Sequence, residues 1–135
     1  MGDPCRAPVK VLVLEDERRT MHSLIMAAIS RDDRLEILWA RTLEEAIDAL
    51  DFYHDRLAFI VLGDAITDGP TIDFAKKVEA ADYHGTRINI ALTPGISAQL
   101  EAAGFHQLCA RIELPSCLLN LITFQSARSL IPPPL

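Results

Sequence analysis

Three consecutive acids, Glu15-Asp16-Glu17, close the Val-rich apolar run Val9-Lys10-Val11-Leu12-Val13-Leu14, and they carry the clearest chemical signal in the chain. A run of this kind reads as a strand buried on both faces. Its acids then stand at the strand's carboxyl end, where open α/β sheets gather ligands. Close carboxylates repel one another, and a hard divalent cation with oxygen ligands, Mg²⁺ or Ca²⁺, relieves that repulsion. The plain alternative is that the acids open a helix and favour its positive end, which accounts for Glu17 better than for the Glu15/Asp16 pair.

The elements that must position these acids alternate along the chain, as a parallel sheet with crossover helices requires. Residues 18–30 carry Met21, Leu24, Ile25, Ala28 and Ile29 at helical spacing. A second strand covers 35–40. Thr42-Leu43-Glu44-Glu45 forms a capping box, with Thr42 accepting from the Glu45 amide and Glu45 reaching back, before a helix with Leu43, Ala46, Ile47 and Leu50 inward. Leu57 to Leu62 is the third and most apolar strand. A loop over 63–70 leads to a helix over 71–81, a fourth strand over 88–92, a short helix over 97–103, a fifth strand over 108–112 and a last helix from about Pro115.

Composition narrows the class. The 135 residues fit one domain with a sizeable core. No apolar run reaches the roughly 18 residues of a membrane span, and the N-terminus lacks the apolar centre of a secretory signal, so a soluble cytoplasmic protein is expected. A net charge of -6 argues against direct nucleic-acid binding, which needs a cationic surface. Cys5, Cys109 and Cys117 are odd in number and lack CxxC spacing, so they read as free or buried thiols.

Leu14-Glu15-Asp16-Glu17, with Thr93 closing Ile88-Asn89-Ile90-Ala91-Leu92, resembles the response-regulator receiver domain of the CheY-like class. The resemblance spans Val9 to Arg128. It implies an α/β, flavodoxin-like (βα)5 domain with a five-stranded parallel sheet of order 2-1-3-4-5 and helices on both faces. The domain would occupy 9–129, after an N-terminal extension at 1–8 and before a Pro-rich tail at 130–135. It also implies two-component phosphorelay signalling, with a histidine kinase or phosphotransfer protein upstream and a protein target downstream. Asp64, the first carboxylate after the third strand, is the candidate phosphoacceptor. Glu15, Asp16, Asp64 and the backbone carbonyl of Ile66 would hold Mg²⁺, and Thr93 would offer its hydroxyl to the phosphoryl group. Arg111 falls where the family has a Lys, and its planar fork differs from a compact ammonium. The face of the fourth helix, fifth strand and fifth helix would dock targets or a second copy of the chain, using Leu108, Arg111 and Leu118.

Several residues depart from the family pattern. Asp64 stands five residues before Gly69, a shortened loop, and counting the family spacing back from Gly69 lands on Val61. Pro94 removes an N–H that the family aims at a phosphoryl oxygen. Leu108 takes the aromatic switch position, and Ile112 follows Arg111 where the family has Pro. These residues frame three readings: a phosphoaccepting receiver, a degenerate receiver that acts as a phosphorylation-independent interaction module, and a small α/β enzyme acting on phosphate compounds. The third is the least supported, since no His stands at a strand end.

Other residues have plainer explanations. His22, His54, His84 and His106 lack ligand spacing, and Trp39 reads as core or edge packing. Gly63, Asp68-Gly69-Pro70 and Thr93-Pro94-Gly95 read as turn chemistry, and Lys76-Lys77 as a solvated helix face. Cys109 and Cys117 read as small hydrophobes, with an oxidation-sensitive interface as the sharper alternative. The terminal prolines read as an extended tail.

Overall fold

Val11 to Leu14 are almost wholly buried, as their unbroken apolar run dictates for a strand covered on both faces. They belong to Val9–Leu14 (β1), the second strand from one edge of a five-stranded sheet in the computed structural model, which describes residues 8–130. The order along the chain is β1, Arg18–Arg31 (α1), Leu35–Ala40 (β2), Leu43–Tyr53 (α2), Leu57–Leu62 (β3), Ile72–Ala80 (α3), Thr86–Asn89 (β4), Pro94–Ala102 (α4), Gln107–Leu108 (β5) and Leu114–Leu130 (α5). The sheet order is 2-1-3-4-5 and every pairing is parallel, the flavodoxin-like arrangement expected from the sequence. The expected N-terminal extension and Pro-rich tail lie essentially outside the described residues.

Alternation along the strands divides the core in two. Leu12, Leu14, Ile60 and Leu62 face Ala46 and Leu50 of α2, Phe74 and Val78 of α3, and Leu100 of α4. Val11, Val13, Phe59, Val61 and Ile88 face Met21 and Ala28 of α1 and Leu114, Leu118 and Ile122 of α5. Two helices therefore cover one face and three the other.

Register aligns the strand ends. Ala40, Leu14, Leu62, Asn89 and Leu108 form the last paired row across the sheet. Glu15 and Gly63-Asp64 follow that row directly. Both halves of the sheet therefore deliver their acids to the same edge.

Local chemistry sets the element ends. At α2, Thr42 Oγ1 accepts the Glu45 N–H at 3.1 Å, as expected, while the Leu43 N–H donates to Asp68 of the β3–α3 loop. That loop is not featureless: Ala65–Ile66 and Gly69–Pro70 pair antiparallel in a two-residue ladder, with Gly69 at φ 144°. The fourth strand ends at Asn89, earlier than its apolar run suggests, because Asn89 Oδ1 accepts the Ala91 N–H and its Nδ2 donates to Ser97. The fifth strand is only two residues long. After Cys109 N–H reaches Asn89 O at 3.0 Å, the chain turns into a 3₁₀ helix over Arg111–Glu113 in place of the expected strand over 108–112. Thr93-Pro94-Gly95 is not a free turn either: Thr93 occupies the N-cap position of α4 without a side-chain cap hydrogen bond and Pro94 opens the helix, a placement that suits a residue without an N–H. Among the described residues no helix is long and apolar enough to cross a membrane.

Phe59→Ala should cost about 3–5 kcal/mol in urea unfolding, because a fully buried ring leaves a cavity, whereas Met26→Ala on the exposed side of α1 should stay within about 0.5 kcal/mol.

Candidate functional site

Glu15 is the residue after β1, and at 3 % exposure it is an acid set in the interior. Its Oε1 accepts the N–H groups of Asp16 at 3.1 Å and Glu17 at 3.4 Å. Its Oε2 accepts from Arg111 Nη2 at 2.5 Å and from the Asp64 N–H at 3.3 Å. The space it fills exists because residue 63 is glycine: a Cβ there would stand 1.8 Å from Glu15 Oε2. The Glu15 main chain is fixed as well, its carbonyl accepting the Trp39 indole N–H at 2.6 Å.

Asp64 follows β3 and turns its carboxylate toward the start of α4. Oδ2 accepts the Leu92 N–H at 2.9 Å and Oδ1 the Thr93 N–H at 2.8 Å. Arg111 Nη2 reaches Asp64 Oδ2 at 3.2 Å, so one nitrogen serves both Glu15 and Asp64. Glu17 Oε2 lies 4.0 Å from Nη1. The Arg111 side chain is 10 % exposed, and its Nε has no hydrogen-bond partner among the described residues. The 3₁₀ turn over Arg111–Glu113 starts at this arginine, bringing its fork under the ends of β1 and β3.

No family model matches the sequence, and no curated protein matches it. Solved structures do. A response regulator receiver protein from Pseudomonas putida superposes with a TM-score of 0.67 at 20 % identity, covering 87 % of this chain and 97 % of that one. The chain has the receiver fold. The N-terminal domain of an uncharacterized protein from Wolinella succinogenes gives a TM-score of 0.72 at 15 % identity, covering 90 % of this chain and 97 % of that one. The non-phosphorylated receiver domain of a stress response regulator from Escherichia coli gives 0.68 at 11 %, covering 89 % and 95 %.

Within this receiver fold, the sequence-derived residues Glu15, Asp64, Thr93 and Arg111 come together at one edge of the sheet. Asp16 does not join them: its side chain is exposed and its N–H donates to the Ala65 carbonyl at 3.1 Å. Ile66, the expected source of a carbonyl oxygen for Mg²⁺, pairs with Gly69 and buries its side chain in the core. A divalent cation needs several oxygen ligands free to converge. Here Glu15 and Asp64 share a guanidinium and backbone donors, and no group of three metal-ligating side chains forms among the described residues. As arranged, the pocket does not fit a divalent cation.

Three residues of the site read as something else in the sequence. Gly63 is needed for the space beside it, not for a turn. Trp39 is a hydrogen-bond donor to Glu15, and its ring borders a cavity of about 870 Å³ with Arg18, His22, Ser23 and Arg41. Thr71, fully buried, donates its hydroxyl to the Gly63 carbonyl at 2.6 Å and so holds the β3 end in place. A tryptophan one residue short of a strand end was the one available sign, because an indole N–H seeks a partner.

The pKa values of the two carboxyls move in opposite directions. For Glu15, burial pushes the pKa above its ordinary 4.5, against the lowering effect of Arg111 and the N–H groups of Glu17, Asp64 and Asp16. For Asp64, burial also pushes upward but is outweighed by the N–H groups of Leu92 and Thr93, the Thr93 hydroxyl and Arg111, so its pKa falls below 3.8. Ionising Glu15 therefore costs stability as pH rises through its folded pKa, and that cost vanishes below 4.5. Asp64 contributes stability above 3.8 that is lost as pH falls through its folded value.

Arg111→Met leaves Glu15 ionised and unpaired, so at pH 7 the variant should lose about 3–5 kcal/mol. The deficit should shrink as pH falls toward 4.5 and Glu15 takes up a proton. Urea unfolding of both proteins at the two pH values checks this, and an equal deficit at both would remove Glu15 as the cause.

Proposed function

We propose that this chain is a receiver-fold protein-interaction module whose acidic pocket is held in one state by its own arginine, independently of phosphoryl transfer. The observation that carries this reading is the single Arg111 nitrogen, 2.5 Å from Glu15 and 3.2 Å from Asp64. It supplies between the two acids the positive charge that a divalent cation brings to the resembling family. To accept a phosphoryl group, Asp64 would have to release the Leu92 and Thr93 N–H groups and Arg111, and Glu15 would then need another cation. Pro94, which has no N–H, offers nothing further to an incoming oxygen.

The surface beside the pocket suits a protein partner in the cytoplasm. Leu108 is 54 % and Ile112 79 % exposed, close in sequence to Arg111 on either side. The arginine fixes the turn that carries Ile112, so the state of the pocket and the shape of this apolar surface are one property. A partner would read the unmodified fold.

The second reading is the phosphoaccepting receiver, with Mg²⁺ and a kinase or phosphotransfer partner. Asp64 favours it, as an acid kept ionised at the end of β3 by donors already aimed at it. Exposure to acetyl phosphate with Mg²⁺, followed by intact mass and amide NMR, separates the two. The interaction-module reading expects no phosphoryl adduct on wild type and no Mg²⁺-dependent shifts at Asp16 or Asp64. A Mg²⁺-dependent adduct that disappears in Asp64→Asn would overturn it.

A further inference from the structure

We propose that the cavity between α1 and the end of β2 binds a nucleotide, with its base stacked on Trp39 and its phosphate held by Arg18 and Arg41. The inference stands on this cavity and not on the function proposed above.

The cavity of about 870 Å³ is lined by Arg18, His22, Ser23, Trp39 and Arg41. Arg18 and His22 lie one turn apart on α1 and share its face. Trp39 is in β2 and Arg41 is the first residue beyond it, two positions on and therefore on the same side of the strand. Because β2 is the edge strand, no further strand closes this side of the sheet. Trp39 packs against the core that holds Val13 and Met21, and its N–H is committed to the Glu15 carbonyl at 2.6 Å. Its ring is thus a fixed wall of the cavity. The other four lining residues are exposed, so the cavity opens to solvent. Among the described residues, neither Arg18 nor Arg41 makes a side-chain hydrogen bond or an ion pair, and none of the residues lining the cavity is acidic. In a chain of net charge -6, two guanidiniums gathered without an acid beside them favour an anion from outside.

The lining selects the class of anion. Guanidinium forks match the oxygens of a phosphate and bind it with charge-assisted hydrogen bonds. A fixed aromatic ring offers stacking to any base, since every base has a π-face. The Ser23 hydroxyl and the His22 ring nitrogens supply donors and acceptors for a sugar or a base edge. The volume lies within the roughly 300–1,000 Å³ of small-molecule sites, which a single nucleotide suits. A nucleic-acid strand is disfavoured, because its phosphates would run beyond the two arginines onto an acidic molecule.

The full chain is titrated with ADP, GDP, CDP and UDP while the amide NMR shifts and the fluorescence of Trp39, the single tryptophan of the sequence, are followed. At least one of these should quench Trp39 saturably and shift amides around residues 18–23 and 39–41. The matching nucleoside and inorganic phosphate should each bind more weakly, because each fills one half of the site. Arg18→Gln and Arg41→Gln should each weaken binding about tenfold, the size of one lost charge-assisted hydrogen bond, while Lys77→Gln on α3 should leave it unchanged. Both arginines are exposed, so their replacement leaves the core intact. The inference is overturned by the absence of a saturable response to all of the nucleotides, by inorganic phosphate binding as tightly as they do, or by wild-type affinity in either arginine variant. A short single-stranded oligonucleotide that binds more tightly than any of them would equally overturn it, in favour of a nucleic-acid surface.

Discussion

A carboxylate buried at the end of β1 has to be paired, and the pairing with Arg111 is the constraint around which this end of the molecule is arranged. Transferring an unpaired carboxylate from water into the interior costs several kcal/mol, so Glu15 could not keep its 3 % exposure without a fixed cation and backbone donors. Arg111 comes from the far side of the sheet, and to reach Glu15 it has to pass Asp64. The same nitrogen therefore ties β1, β3 and the segment after β5 together. The short fifth strand follows from this: two residues of pairing, then a 3₁₀ turn that swings the arginine inward.

Much of this was legible in the sequence where the signal is local. Apolar runs at Val9–Leu14 and Leu57–Leu62 specify buried parallel strands, Thr42 and Glu45 announce the start of a helix, and the alternation of elements leads to a parallel sheet, whose 2-1-3-4-5 order the family resemblance implied. Glu15, Asp64 and Thr93 could be nominated because each follows a strand-like run, and Arg111 because it falls where the resembling family has a Lys. What could not be read were relationships between distant segments. The indole of Trp39 finds the Glu15 carbonyl only after β2 has paired beside β1. Gly63 has the sequence appearance of a turn residue, and its role depends on a side chain 48 positions earlier filling its space. The expected ends of β4 and β5 failed for a related reason, since Asn89 and the Arg111 turn withdraw the backbone from pairing while the apolar pattern continues.

Resemblance in fold and resemblance in chemistry separate here. The sheet order, the covered faces and the gathering of acids at the strand ends are those of the receiver fold, and the solved structures it resembles share that backbone at 11 to 20 % identity. The chemistry at the strand ends is a matter of a few side chains. The Arg111 guanidinium reaches two acids at once, and Pro94 opens α4 without a backbone donor beside the Thr93 N–H that Asp64 accepts. Such changes leave packing untouched while altering what the pocket can hold.

The contact between Gly63 and Glu15 also restricts how the chain can drift over generations. An alanine at 63 drives the carboxylate out of its niche, a neutral residue at 111 strands it there, and a neutral residue at 15 empties the space and leaves the arginine with Asp64 and the more distant Glu17. Each single replacement passes through a protein worse than either neighbour, and only concerted changes at two of the three positions reach another well-packed arrangement. Positions 15, 63 and 111 should therefore be inherited as a set, free to vary together and slow to vary apart.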